Sequence, residues 1–454
     1  MNAPEPTIVR TGHVRWFVCA LLFAIVALNY TDRQVLSVLK PTLQQAYGWS
    51  ETGYGWMAVS FQIAYGLGYV AFGRIVDRYG AKVGGTIAVT FWTIAHTAHA
   101  FVTSIIGFTL VRIPMGLGES GLFPSTLAAT AEWFPLRERA LAIGIFNAGS
   151  NVGAILAPFI VPIITILWGW QMAFILTGLL TFVWLAVWLI WYRRPREMTS
   201  LGAQELAFIE SDPQEAQRPV AWSQLFRTRQ TWAYMAGRFL IDPVWWTFLF
   251  WLPDFFSKRY GVDLKHYGPP LVTIYVMADI GSVLGGWRSS RLIKRGVAVG
   301  RSRKMAMLAC AVCALPVAGA MYATNLWLAV AVIGLACALC ALPVAGAMHA
   351  DNIWLAVAVI GLACGAHQGF SANLYALPSD LFPRWASGSV VGLGGFAGAL
   401  GGTLMSLYAA NVLQIIGSYT PIFVFASVAY LFALLVVHLI VPRYAPATNI
   451  SSET

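Results

Sequence analysis

Stretches of about twenty apolar residues, each ended by a short charged or glycine- and proline-bearing interval, follow one another from residue 14 to residue 441. This recurrence leaves the chain very few ways to fold. A bilayer core of about 30 Å is crossed by roughly 20 residues of helix, and each run has about that length. The runs are continuous rather than alternating, so they read as helices and not as the strands of a transmembrane barrel. Composition agrees: 11% of the 454 residues are charged and 58% are hydrophobic, against about 25% charged in soluble domains. Such a chain can neither coat a water-soluble globule nor remain disordered. The expected class is an all-α polytopic membrane protein.

Six runs fall near 14–36, 51–73, 83–103, 105–128, 140–163 and 170–192, and six more near 231–256, 267–288, 304–323, 353–378, 387–414 and 419–441. Between the sets the composition changes, with Arg193, Arg194, Arg196, Glu197, Glu205 and Glu210 in one stretch. The expected organisation is an N-terminal tail (1–13), a six-helix bundle (14–192), a water-exposed linker (193–230), a second bundle (231–441) and a C-terminal tail (442–454). If the spans alternate, most Lys and Arg collect on the side of the N-terminus and the linker. Lys40, Lys258, Arg259 and Lys265 form a minority on the other. The majority side is expected to be the cytoplasm. The first run passes straight into Tyr30, Thr31, Asp32 and Arg33 without a small-residue cleavage site, so it reads as a retained span and not a signal peptide. The formal charge of +10 is spread over these short intervals. No basic domain stands apart, so nucleic acid is not an expected partner.

Two repeats are present. Residues 313–337 recur at 340–364 with 22 of 25 positions identical and a period of 27. So close a tandem copy implies a recent event or an assembly error, not an old solenoid unit. It adds a thirteenth apolar run near 327–348, which either lies against a twelve-helix fold or rewires the second bundle. The older repeat relates Pro135, Gly144 and Gly153 to Pro383, Gly392 and Gly401 at an offset of 248. Two related halves are the usual construction of a transporter with its site at their interface.

Specific motifs now matter. Gly73-Arg74-Ile75-Val76-Asp77-Arg78-Tyr79-Gly80-Ala81-Lys82 follows the second run, and Glu132-Trp133-Phe134-Pro135 precedes Glu138-Arg139-Ala140. With Asn29-Tyr30-Thr31-Asp32-Arg33 and the stretch from Arg112 to Glu119, these resemble the major facilitator superfamily, in its anion:cation symporter branch. Trp170-Gln171-Met172-Ala173-Phe174, Arg238-Phe239-Leu240 with Pro243 and Trp245, and Ala366-His367-Gln368 look most like hexuronate (galacturonate or glucuronate) transporters. The resemblance implies two six-helix bundles, with one extra apolar segment here from the tandem duplication, in a bacterial-type inner membrane. It implies proton-coupled symport of a sugar-acid anion, with Gly73, Asp77 and Arg78 in a cytoplasmic gating loop. The second-half loop, Gly285-Gly286-Trp287-Arg288, lacks the acidic residue of the signature.

The residues themselves give a similar list. Charged groups inside spans cost about 2.5–3.5 kcal/mol each on insertion scales and are functional candidates by default. Asp32, Arg33, Arg112, Glu119, Arg238, Asp242 and Asp279 qualify. Arg238 and Asp242, four apart, are expected to satisfy each other. Arg33 shares a helical face with Asn29, while Asp32 points roughly 100° away. Arg33 is therefore the expected clamp for a substrate carboxylate, with a static ion pair as the alternative. Arg112 and Glu119 lie two turns apart on one face, about 10.5 Å along the axis. The expectation is that Arg112 touches Asp32, and that Asp32, Glu119 and Arg112 form the proton-coupling group. In the similar symporters the matching acidic positions of spans one and four take part in coupling.

Across the offset of 248, His367 stands opposite Glu119, and His367 with Gln368 is expected to bind sugar hydroxyls. Tyr30, Tyr65, Asn147, Ser150, Trp245 and Asn373 complete the expected lining, since Tyr and Trp offer flat apolar faces with a polar edge. The CxxC spacings of Cys310/Cys313 and Cys337/Cys340 lie in apolar runs without other ligands and read as small buried residues. No metal site, cofactor, nucleotide loop or catalytic constellation is expected, and the chain does not read as an enzyme. The expected partners are a small organic anion, protons and the lipid bilayer, with the chain monomeric. Transport of an aromatic acid, a dicarboxylate or a galactonate-like aldonate, or sensing of an anion without transport, remain as alternatives.

Overall fold

The computed structural model describes residues 12–211, 222–266, 268–315, 353–382 and 384–447. The thirteenth run with Cys337 and Cys340, and most of the tandem copies, lie outside them. The first half comprises α1 (Val14–Tyr47), α2 (Glu51–Ala98), α3 (Ile105–Ser120), α4 (Leu122–Trp133), α5 (Leu136–Trp168) and α6 (Trp170–Trp191). Two short helices, α7 (Ala203–Ile209) and α8 (Trp222–Phe226), mark the linker. The second half comprises α9 (Arg229–Tyr260), α10 (Gly268–Lys294), α11 (Val299–Ala314), α12 (Ile353–Tyr375), α13 (Leu377–Leu381), α14 (Arg384–Ile415) and α15 (Thr420–Ile440). Seven segments of the described residues are long and apolar enough to cross a bilayer unaided. The molecule is helical and polytopic, as its apolar runs require.

Three differences from the sequence reading have local causes. The first helix does not end near residue 36 but continues to Tyr47, where Gly48 at φ 66° closes it in the left-handed region. The fourth span is two helices, with Gly121 packed so closely on Phe72 and Ala88 that no side chain fits between them. The motif from Gly73 to Lys82 is a tight turn rather than an extended loop: two helices meet at Gly80, whose φ of 82° only glycine adopts without strain, and the chain turns back so that Gly84 packs against Val76. Gly73 is half-buried and Arg78 exposed, its guanidinium 5.5 Å from the Tyr79 ring centre; the Asp77 side chain lies outside the described residues.

Glycines set how closely the helices of each half approach. Gly149 and Gly153 of α5 sit on the Phe23 and Ala27 carbonyls of α1. In the second half Gly401 of α14 meets the Phe239 carbonyl of α9, and Gly394 and Gly402 receive Tyr234 and Trp246. The kinship of the halves extends to their ends, where Tyr192 hydroxyl donates to Glu132 (2.8 Å) and Tyr444 hydroxyl to Asp380 (3.3 Å). The linker is tied to the first half by Arg15, which holds Glu138 (2.9 Å) and Glu205 (3.0 Å). On the linker surface Arg196 binds Glu210 at 2.6 Å and holds that carboxyl below its ordinary range.

At the end remote from the linker the halves are bolted together by charge. Lys40 of α1 is fully buried and lies 2.7 Å from Glu51 of α2 and 2.8 Å from Asp254 of α9. Lys258 binds both carboxylates, Tyr419 donates to Asp254, and Glu51 N–H donates to Gln414 (3.2 Å). The Lys40 ammonium also lies 4.4 Å from the Trp251 ring and 4.8 Å from Tyr54. Further in, Gln34 donates to Tyr275 (2.9 Å) and Ser406 to Gln62 (3.1 Å). Removing one partner of a buried pair costs about 3–5 kcal/mol, whereas a partly exposed one is screened. Lys40→Ala should therefore open this end far more than Lys258→Ala. Labelling of a cysteine introduced at Ser406 by an impermeant maleimide should quicken at least tenfold for Lys40→Ala, a shift of only about 1.4 kcal/mol, and much less for Lys258→Ala. Equal rates in the two variants would remove the bolt from this account.

Candidate functional site

Arg33 stands midway along α1, at the interface of the halves, with 3% of its surface exposed. Its Nε donates to Glu119 Oε2 at 2.8 Å, its Nη2 lies 2.7 Å from the same oxygen, and Nη2 donates to Asn29 Oδ1 at 3.2 Å. The shared face of residues 29 and 33 follows from their spacing of four. Aromatic rings enclose the guanidinium: Tyr30 at 4.7 Å, Tyr65 at 5.0 Å, Trp246 at 5.4 Å and Phe61 at 5.5 Å from ring centre to Cζ. Trp246 comes from the second half, so the cage straddles both bundles. Glu119 is 1% exposed, and its Oε1 has no hydrogen-bond partner among the described residues.

Asp32 does turn away from Arg33, into the first half. Its Oδ2 accepts from Thr181 (3.1 Å) and Trp92 (3.3 Å), and its Oδ1 lies 3.4 Å from His96 Nε2. His96 in turn shares a 2.7 Å hydrogen bond with Thr177. Sequence reasoning missed His96, although a histidine inside an otherwise apolar span is the same kind of signal that singled out Asp32. It also misassigned Arg112, which does not touch Asp32. The Arg112 guanidinium lies 5.1 Å from the Phe61 ring and contacts Met115 sulfur at 3.5 Å, because Asp32 is already committed to α2 and α6.

The second half has a different centre. His367 stacks on Trp245 with ring centres 5.2 Å apart and planes 5° from parallel. Its ring nitrogens lie 3.0 Å from the Tyr430 hydroxyl and 3.2 Å from Ser371. Neither ring nitrogen of His367 bonds Glu119, whose Oε2 is held by Arg33. Yet the two clusters correspond. Gly153 packs on Ala27 and its counterpart Gly401 on Phe239, so the first helices of the halves are offset by 212 residues. That offset carries Arg33 to Trp245, and the offset of 248 carries Glu119 to His367. An ion pair in one half is thus replaced by a stacked aromatic pair in the other.

The remaining expected residues separate into two kinds. Gln368 is half-buried, Asn147 exposed, and Ser150 buried with its hydroxyl donating to the Asn147 carbonyl (2.7 Å). Asn373 is not a lining residue: its amide donates to the Gly285 and Gly369 carbonyls (3.1 and 2.9 Å), stitching α12 to α10. Arg238 and Asp242 pair at 2.6 Å, the guanidinium lying 4.3 Å from the Tyr375 ring. Among the described residues no cluster of His, Cys, Asp and Glu suited to a metal ion occurs.

These features can be set beside known proteins. The sequence profile of the Major Facilitator Superfamily matches residues 22–348. The hexuronate transporter of Escherichia coli (strain K12) is 32% identical over 449 residues, covering 97% of both chains. The galacturonate transporter of Dickeya chrysanthemi is 34% identical over 281 residues, 60% of this chain and 81% of that one. Among solved structures, a bacterial homolog of the human lysosomal transporter Spinster, in an inward-facing and occupied conformation, superposes with a TM-score of 0.67. It is 15% identical and covers 96% of this chain and 97% of its own, a likeness of fold alone. The chain therefore belongs to the Major Facilitator Superfamily, is similar over nearly its whole length to a hexuronate transporter, and is a multi-pass membrane transporter and not an enzyme.

Proposed function

We propose that this transporter carries a hexuronate together with protons by alternating access, as a monomer in the cell's inner membrane with its N-terminus and linker in the cytoplasm. The observation that carries the reading is the buried Arg33–Glu119 pair in its aromatic cage between the halves. A guanidinium fork is suited to one carboxylate held bidentately. While Glu119 is ionised it occupies that fork. A substrate carboxylate arriving beside it would leave two anions on one cation in a space with little water, which is costly. A proton on Glu119 removes that conflict and frees Arg33 for the substrate, so proton and anion bind as a pair. Asp32, held by His96, Trp92 and Thr181, is the second proton-carrying carboxylate, and Arg112 sets the local field. The sugar ring rests on Tyr30, Tyr65 and Trp245, with Asn147, Ser150, Gln368 and His367 available to its hydroxyls. The E. coli hexuronate transporter, related over nearly the full length, supports the choice of substrate class.

The test is uptake of labelled galacturonate into proteoliposomes. An acid-outside gradient should drive accumulation, and initial uptake should fall as external pH rises, by at most about tenfold per unit for one proton. A flat pH profile with intact counterflow would overturn coupling and leave a facilitator. Binding without counterflow would make the protein a sensor.

A further inference from the structure

Where α9 begins and α15 ends, on the linker side, a cavity of about 690 Å³ is lined by Arg227, Arg229 and Arg443 together with the apolar Ile440, Val441 and Pro442. We infer that this cavity is a binding site for the phosphate-bearing headgroup of an anionic phospholipid. The inference does not depend on what the central site transports.

The cavity is built and not incidental. Lys304 donates to the Val441 and Pro442 carbonyls (2.7 and 3.1 Å), which fixes the turn that carries Arg443. Gln230 donates to Ala445 (3.1 Å), Ala447 N–H donates to Leu381 (2.8 Å), and Gly300 receives the Tyr444 ring. Thr228 caps α9 by accepting from Thr231, so Arg227 and Arg229 flank a fixed helix start. Among the described residues no carboxylate lines the cavity, and none pairs with the three guanidiniums. Three exposed arginines lining one volume suited to a small ligand offer the donors that the oxygens of a phosphate group accept. The cavity lies where two spans leave the bilayer, and Trp222, Phe226 and Trp232 beside it are 45%, 38% and 50% exposed. Phe226 and Trp232 pack at 5.8 Å and the Trp232 indole donates to the Phe226 carbonyl, an arrangement suited to the headgroup level of a membrane. That position selects a lipid over a soluble phosphate. Its apolar wall meets the glycerol and upper acyl chain, while the arginines hold the phosphate.

The purified full chain in a neutral detergent is titrated with short-chain phosphatidylglycerol, with phosphatidylcholine and inorganic phosphate as separate arms, and thermal stability and Trp fluorescence are read. Phosphatidylglycerol should stabilise the protein and phosphatidylcholine should not. Each arginine near an anionic lipid is worth about fivefold in affinity, so Arg227→Gln/Arg229→Gln/Arg443→Gln should weaken binding by about 100-fold. The triple Lys variant should recover part of that while keeping the fold, and monodispersity together with an unchanged melting transition in the absence of lipid checks the folding of both. Equal stabilisation of the triple Gln variant overturns the site. Saturable stabilisation by inorganic phosphate matching that by the lipid overturns the lipid assignment.

Discussion

Arg33→Ala should abolish hexuronate accumulation. Losing one partner of a desolvated, hydrogen-bonded charge pair costs about 2–5 kcal/mol, so affinity for the substrate should drop roughly thirtyfold to several-thousandfold. The same change strands Glu119 without its cation, at a stability cost of about 3–5 kcal/mol if the carboxylate stays charged. Binding and folding therefore need separating. Arg33→Ala/Glu119→Gln removes the stranded charge and should recover thermal stability without recovering binding. Arg33→Lys keeps the charge but loses the fork, and should bind at intermediate strength. Isothermal titration and uptake on the three variants decide the matter. Normal accumulation in Arg33→Ala would end the claim that this guanidinium holds the substrate.

Glu119→Gln should split transport into its parts. A carboxamide imitates the protonated acid in shape and charge, so Arg33 is permanently available to the anion. Counterflow, which needs no net proton movement, should persist and lose its pH dependence. Uptake driven by an acid-outside gradient should fall to the level of simple equilibration. This double outcome separates coupling from binding, because a residue that only props the site open would depress both activities together. Gradient-driven accumulation at the parental level in Glu119→Gln would move the coupling proton elsewhere, with Asp32 and its His96 partner the next place to look.

Much of this architecture is legible in the chain because a bilayer imposes a length and a hydropathy on each crossing. The twelve-run pattern, the linker and the two related halves follow from that constraint and from the spacing of Pro135, Gly153, Pro383 and Gly401. The face shared by Asn29 and Arg33 follows from a spacing of four. What a spacing rule cannot supply is a partner on another helix. Glu119 lies 86 residues from Arg33, and only the packing of α3 on α2 brings its carboxylate within reach of α1. Arg112 was expected to meet Asp32, but Trp92, His96 and Thr181 reach that carboxylate first. Lys40 and Lys258 lie beyond the apolar runs read from the sequence, which end near residues 36 and 256. In fact α1 extends to Tyr47 and α9 to Tyr260, which carries both ammonium groups onto helices at the junction of the halves.

The exchange of Arg33 and Glu119 in one bundle for Trp245 and His367 in the other has a consequence for the cargo. The scaffold is built on a half-turn, but its interior is not: the wall of one bundle is an electrostatic pole and the corresponding wall of the other is a flat, uncharged shelf. A passenger with an acid head and a hydroxylated body would keep its head against the same wall throughout the crossing, while the other wall slides past its body. Loading and unloading would then differ in which end of the passenger first meets water, a directional bias inherited from divergence between two once-equivalent copies.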